Sequence, residues 1–394
     1  MPDLSDFDKM LDNLDKLTDE QREILLSRLS NKDNEKDRKN KKQGLLKNDS
    51  GEIISCPHCG SVSVKKHGTK DYKQRYRCKD CNKTFSETTG TSFRKSRLSE
   101  WQWREILKGM ILNLSIPQIA DATGLSNKTV WLNKNKVMQL ITDLYGEQDK
   151  FRDIVECDET EVHLSYKGKR DARFFIYHLH RLPRHHRNRE EKIEYLQKNG
   201  LWDELLDNPE LLDKLLSNSG RRETSLDGSK DDSVCIITGT DRSKNLYIKP
   251  TCIGKLGSKH VAEHFENRFE EDAIIVTDSS PSYDKFANDS HLHHEYIPSG
   301  EHTNGPYSLS RVNAVHSKLS SYYSEDKRNL PATKHLTVGV DFFWWLEKNK
   351  DKDLQEKIDE LFQMLLDNGL DLTYDGIVHR KLAIDTKGLI PNEV

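Results

Sequence analysis

Two Cys-x2-Cys pairs, Cys56-Pro-His-Cys59 and Cys78-Lys-Asp-Cys81, have 18 residues between them and dictate how the front of the chain folds. Spacing of this kind builds a zinc ribbon, in which two tight turns deliver four thiolates to one tetrahedral Zn²⁺. Gly60 after the first pair and Asn82 after the second help those turns close. Four sulfurs leave no open coordination position, so the metal is structural and its binding is coupled to folding of the segment. His58 and His67 are competing ligands nearby, but the sulfurs already suffice. Four unconnected buried thiols are the plainer alternative. The rest of the 7 cysteines, Cys157, Cys235 and Cys252, sit in apolar, strand-like runs where free thiols pack as small hydrophobes. An odd total also argues against a disulfide framework.

A net charge of -3 conceals an uneven distribution. Residues 61–110 hold 13 Lys/Arg against 5 Asp/Glu, a net of +8, whereas residues 1–30 hold 4 against 8, a net of -4. Lys65, Lys66, Lys70, Lys73, Arg75, Arg77, Lys79 and Lys83 interleave with Tyr76 between and beside the cysteine pairs, the footprint expected for phosphate contacts with DNA or RNA. A solvated basic face is the alternative. Residues 4–29 carry leucines at helical spacing among acids, which predicts one or two amphipathic helices, and residues 31–50 read as a charged linker. No apolar run approaches the roughly 20 residues that cross a bilayer, and the N-terminus lacks a secretory pattern, so a soluble, cytoplasmic protein is expected.

Helical spacing from Trp101 to Leu144, interrupted at Pro117 and Gly124, predicts three helices. Ile116 to Trp131 has the layout of a helix-turn-helix: small Ala120 for close approach, Gly124 at the turn, Ser126 as cap, Leu125 and Val130 in the shared core. In that layout Asn127, Lys128, Trp131 and Lys134 lie on or near the groove-facing side of a recognition helix. An ordinary helical hairpin is the alternative. With the basic ribbon beside it, the pattern favours DNA over RNA.

From Asp153 onward short β-branched runs at 154–155, 234–238, 246–253 and 273–277 alternate with helical stretches, predicting a mixed α/β domain. A charged, leucine-patterned segment at 181–233 interrupts it as a helical insertion, and a further helix is expected from about Leu354 to Leu366. Asp158, within Ile154-Val-Glu-Cys-Asp158-Glu159-Thr160, and Asp278, ending Ala273-Ile-Ile-Val-Thr277, put acids at apolar strands where unpaired charge is costly to bury. Each alone suits a strand-end cap or turn. Paired behind a DNA-binding front half, they suggest a magnesium site, because Mg²⁺ takes hard oxygens and keeps waters that a phosphate can replace.

These features together resemble the bacterial insertion-sequence transposases with a zinc-ribbon front and a ribonuclease-H-like DDE catalytic domain, the ISXO-like group. The resemblance runs from about Ser55 to Trp345. It rests on Cys78 to Phe85, Asp158-Glu159-Thr160, Val276-Thr-Asp278, and His302 through Arg311-Val-Asn313-Ala-Val-His316-Ser-Lys-Leu319. It implies Asp158, Asp278 and Asn313 as ligands of a catalytic Mg²⁺ or Mn²⁺, with 34 residues between the last two, and His316 within reach of the scissile phosphate or a water. Asn313 stands where a Glu or, in some branches, an Asn is found, and its neutral amide leaves one negative charge fewer. The implied activity is DNA cleavage and strand transfer by two-metal phosphoryl transfer, on transposon ends and target DNA, by a homo-oligomer at the bacterial nucleoid. The segment after Val162 has only one Gly and the 181–233 insertion is long for that family. Rival readings are a catalytically inactive DNA-binding regulator and a structure-selective nuclease without strand transfer. The expected organisation is multidomain α/β: helices and linker at 1–50, ribbon at 51–95, helix-turn-helix at 96–150, ribonuclease-H-like domain at 151–350, and a C-terminal helix and tail at 351–394.

Overall fold

A computed structural model describes residues 46, 51, 53–70, 73–94, 96–144, 150–182, 188–217, 233–301, 303–323, 331–370 and 372–386. The amphipathic helices expected at 4–29, the linker apart from Leu46, residues 218–232 of the insertion and His302 lie outside them. The described residues fall into two compact units, one within 1–104 and 362–370, the other within 105–361 and 371–394.

In the first unit, β1 (Val64–Lys70), β2 (Lys73–Cys78) and β3 (Thr84–Ser86) form an antiparallel sheet in that order. Strand alternation sends Tyr76 and Cys78 of β2 inward, where they join Ile54, Cys56, Val64 and Phe85 in a small core. Arg75 and Arg77 therefore take the other face. Phe93 packs edge-on against Trp103, with ring centroids 5.0 Å apart, and against Phe362.

The second unit begins along α1 (Glu100–Ile111), followed by α2 (Ile116–Thr123) and α3 (Asn127–Asp143). Pro117 lies in the first turn of α2, where a missing N–H costs nothing, so it starts a helix rather than interrupting one. Next come β4 (Ile154–His163), α4 (Ala172–Tyr177), and the insertion helices α5 (Arg189–Lys198), α6 (Trp202–Leu206) and α7 (Pro209–Ser217). The insertion closes its own core from Ile176, Leu182, Leu196, Leu201, Leu205 and Leu215. Then follow β5 (Ser233–Asp241), β6 (Leu246–Ile253), α8 (Ser258–Phe265), β7 (Ile274–Asp278), α9 (Pro281–Asp289) and β8 (His293–Ile297). A two-stranded hairpin of β9 (Thr303–Asn304) and β10 (Tyr307–Ser308) leads into α10 (Ser310–Tyr322), α11 (Leu336–Lys348), α12 (Leu354–Asp367) and α13 (Tyr374–Val378).

Strands β6-β5-β4-β7-β8 form one mixed sheet: β4, β5 and β6 pair antiparallel, whereas β7 runs parallel to β4 and β8 parallel to β7. Val155, Cys157, Ile237 and Ile275 pack on one face against Val261 and Phe265 of α8 and Tyr283 and Phe286 of α9. On the other face Val234, Ile236 and Ile248 pack against Leu319 of α10 and Leu336, Val340 and Phe343 of α11. The chain is a multidomain α/β protein whose first sheet strand, β4, ends up central.

Candidate functional site

The ribbon brings the four cysteines together as their spacing requires. Cys56 Sγ lies 3.6 Å from Cys81 Sγ and Cys59 Sγ 3.7 Å from Cys78 Sγ, and all four sulfurs lie within 4.8 Å of one another. Gly60 (φ 73) and Asn82 (φ 58) both adopt the left-handed backbone that turns each chain back after its Cys pair. The Cys81 N–H donates to Cys78 Sγ at 3.5 Å, and backbone donors of this kind lower the Cys78 thiol to about 7, toward the thiolate that ligates zinc. Four sulfurs at these separations fit Zn²⁺.

Lys65 pairs directly with Arg77 across β1 and β2, so the two cations share the face opposite the ribbon core, with Arg75 two residues along. Like charges facing one another across a sheet are unfavourable without a compensating anion. Lys65 and Lys66 are exposed and Arg75 and Arg77 half-buried, while Lys73 contributes backbone to β2. Lys70, Lys79 and Lys83 are exposed.

Helices α2 and α3 meet at a turn in which Gly124 has φ 66 and Ser126 Oγ accepts the Thr129 N–H at 3.2 Å. Ala120 and Val130 are buried between them. Asn127 and Lys128 are exposed at the start of α3. Trp131 is half-buried, its ring edge-on to His335 and Tyr374, and Lys128 Nζ sits 4.1 Å above the Tyr374 ring. Lys134 is half-buried, and desolvation pulls its ammonium down to about 8. The groove-facing side expected for α3 is thus partly occupied by the C-terminal segment, which Arg380 fastens to Gln139 at 2.8 Å.

The acids lie on the sheet. β4 pairs with β7 as Ile154 with Ile274, Val155 with Ile275 and Glu156 with Val276, so Asp158 and Asp278 each lie two residues beyond the last paired positions of adjacent strands. Alternation turns both toward the face covered by α10. Asp158 is half-buried. Burial pushes its carboxyl up to about 7, and the neighbouring charges of Glu159 and Asp278 add to the effect. Asp278 is exposed at the end of β7, and its Oδ1 accepts the Ser280 N–H at 3.1 Å, so it also shapes the turn that follows. His316 Nδ1 lies 3.9 Å from Asp158 Oδ2, and burial lowers the ring to about 4, which keeps it neutral at pH 7. Asn313 is exposed one turn earlier on the same helix.

Two residues of this site went unremarked in the sequence. Thr238 pairs with Asp158 across β5, fully buried, and its Oγ1, like His316 Nε2, has no hydrogen-bond partner among the described residues. Glu156, two residues before Asp158, accepts backbone N–H groups at the start of α10. Asp158, whose carboxyl burial raises, and Asp278 on the adjacent strand supply hard oxygen donors of the kind a divalent cation prefers. Among the described residues the four cysteines are the one group of three or more Cys, His, Asp or Glu within metal-binding reach.

No family model matches the chain. A segment of 117 residues is 34% identical to a Halobacterium salinarum protein described as an uncharacterized protein in transposable element ISH50. The match covers 29% of this chain and 39% of that protein's length. Over that segment the chain is similar to a protein of an insertion-sequence element, a likeness that supports a transposon-related protein.

Proposed function

We propose that the chain is a DNA transposase, with a ribonuclease-H-like unit that cuts and joins DNA strands at Asp158 and Asp278. The observation that supports the reading is the parallel pairing of β4 with β7, two adjacent strands that each carry an acid, Asp158 and Asp278, two residues past the last paired positions. A central first strand with an antiparallel pair on one side and parallel strands on the other supports the ribonuclease-H-like assignment. So does the likeness to a transposable-element protein.

Asp158 and Asp278 hold Mg²⁺ or Mn²⁺, Asn313 offers a neutral amide oxygen, and phosphate oxygens of the DNA complete the shell. When bound, the cation supplies Lewis-acid polarisation of the scissile phosphate and charge neutralisation for in-line attack by water or a DNA 3′-hydroxyl. His316 presents a neutral imidazole beside Asp158, its Nδ1 3.9 Å from Oδ2. The Lys65, Arg75 and Arg77 face of the ribbon takes up DNA phosphates, with Lys66 and Lys73 beside it. Asn127 and Lys128 at the start of α3 reach a groove, while Trp131 and Lys134 support that helix against the C-terminal segment. Zinc maintains the ribbon and takes no part in the chemistry.

The test is incubation of zinc-loaded protein with labelled ends of its own element, a target plasmid and Mg²⁺ or Mn²⁺. Joined end–plasmid products are expected. Nicked DNA without joining would mark a nuclease, and DNA binding with no cleavage in either metal would mark a regulator.

A further inference from the structure

Glu156 lies two residues before Asp158 on β4 and so faces the same side of the sheet, toward α10. With 4% of its surface exposed it is enclosed by protein. A carboxylate this deep requires hydrogen-bond donors. They come from the first turn of α10: Oε2 accepts the backbone N–H of Arg311 at 2.7 Å and of Val312 at 3.2 Å, and Arg311 Nε stands 4.0 Å from Oε1. The residue at the helix's own cap position, Leu309, has no side-chain acceptor, so Glu156 fills the capping role from another strand. The positive end of the helix dipole favours its negative charge.

Helix α10 carries Asn313 directly after these two donors and His316 one turn on, with His316 Nδ1 3.9 Å from Asp158. The strand that bears Asp158 thereby grips, two residues earlier, the start of the helix that bears the remaining site residues. We infer that Glu156 is a positioning residue: its carboxylate fixes the axial position of α10 against β4 and so sets Asn313 and His316 over the Asp158–Asp278 pair, without itself ligating metal. The inference rests on the phosphoryl-transfer reading of that pair.

Two substitutions separate this role from direct ligation. Glu156→Gln keeps an accepting oxygen in place and loses the charge, whereas Glu156→Asp keeps the charge and withdraws the carboxylate by one methylene. Full-length, zinc-loaded proteins are compared without DNA by hydrogen exchange over residues 309–317 and by Mn²⁺ affinity from the electron-spin-resonance signal of free Mn²⁺. Positioning predicts that Glu156→Gln stays within about threefold of wild type in both readouts. Glu156→Asp is expected to exchange faster across 309–317 and to bind Mn²⁺ at least several-fold more weakly, since an ångström-scale shift of a site group costs up to about 100-fold in function. Weaker Mn²⁺ binding by Glu156→Gln with normal exchange would make Glu156 a ligand and overturn the inference. Faster exchange with unchanged Mn²⁺ affinity in Glu156→Asp would leave a stability cap and overturn it as well. A wild type that cleaves no DNA but shows the expected pattern refutes the transposase reading alone, and a wild type that takes up no Mn²⁺ removes both.

Discussion

Replacing Asp158 by Asn should stabilise the metal-free α/β unit while removing its chemistry. The Asp158 carboxyl, ordinarily at 3.8, is raised to about 7, chiefly by burial and further by Glu159 and Asp278. That displacement is roughly a 1,000-fold higher proton affinity, or about 4 kcal/mol at about 1.4 kcal/mol per factor of ten. The side chain is 21% exposed, so solvent reduces the expected gain to about 2–3 kcal/mol. The sign follows from linkage: a carboxyl raised in the folded state contributes its stability in full below its unfolded value of 3.8 and loses it as pH rises through about 7. Asn carries no such dependence. In calorimetry of zinc-loaded protein without added magnesium, Asp158→Asn should melt about 5–10 °C above wild type at pH 8 and by a smaller margin at pH 5. Millimolar Mg²⁺ should raise the wild-type transition and leave the variant unmoved. A variant melting at or below wild type at pH 8, or a margin that ignores pH, would refute the reasoning.

The remaining predictions concern the framework. Chelation of zinc should unfold the ribbon and abolish DNA binding while the mixed sheet keeps its circular-dichroism signal, because structural Zn²⁺ supplies about 10–16 kcal/mol of folding energy in small domains. Lys65→Ala and Lys66→Ala should each weaken DNA binding across sequences and lower the slope of log affinity against log salt by about 1, measured by fluorescence anisotropy. The pair of Lys249 on β6 and Asp341 on α11, 2.5 Å apart with Asp341 fully buried, predicts about 3–5 kcal/mol of destabilisation for Asp341→Ala in urea unfolding. Replacing both partners by apolar residues should cost far less, since no charge is then left buried alone.

How much of this was legible in the sequence depended on how far apart the interacting residues lie. The ribbon was readable because its ligands and turn formers, Cys56 to Gly60 and Cys78 to Asn82, are neighbours in the chain. Strands β4 to β7 announced themselves through β-branched runs, and β5 and β6 are buried along almost their whole length. β8 did not: His293-His294-Glu295-Tyr296 is an edge strand, and His294 spends its polarity on Thr277 at 2.8 Å and Asp284 at 3.0 Å rather than on a metal. A shared site for Asp158 and Asp278 could be suspected from two similar strand ends, but the parallel pairing of β4 with β7 that makes their strands neighbours is a property of the assembled sheet. Glu156 shows the limit most clearly. Its donors, the N–H groups of Arg311 and Val312, lie 155 and 156 residues away and are backbone, so no residue type signals them. Likewise the amphipathic pattern of α3 marked Trp131 as a surface residue, and only folding brings Tyr374 against it.

The central claim is that Asp158 and Asp278 act together on DNA strands, and divalent-dependent cleavage of the element's own end DNA tests it most directly. Wild type, Asp158→Asn and Asp278→Asn are to be compared on the same labelled duplex, with binding measured alongside. The account predicts cleavage by wild type in Mg²⁺ or Mn²⁺, and a loss of at least about 100-fold in each variant with end binding intact. Cleavage that persists in either variant, or that disappears only together with binding, would contradict it.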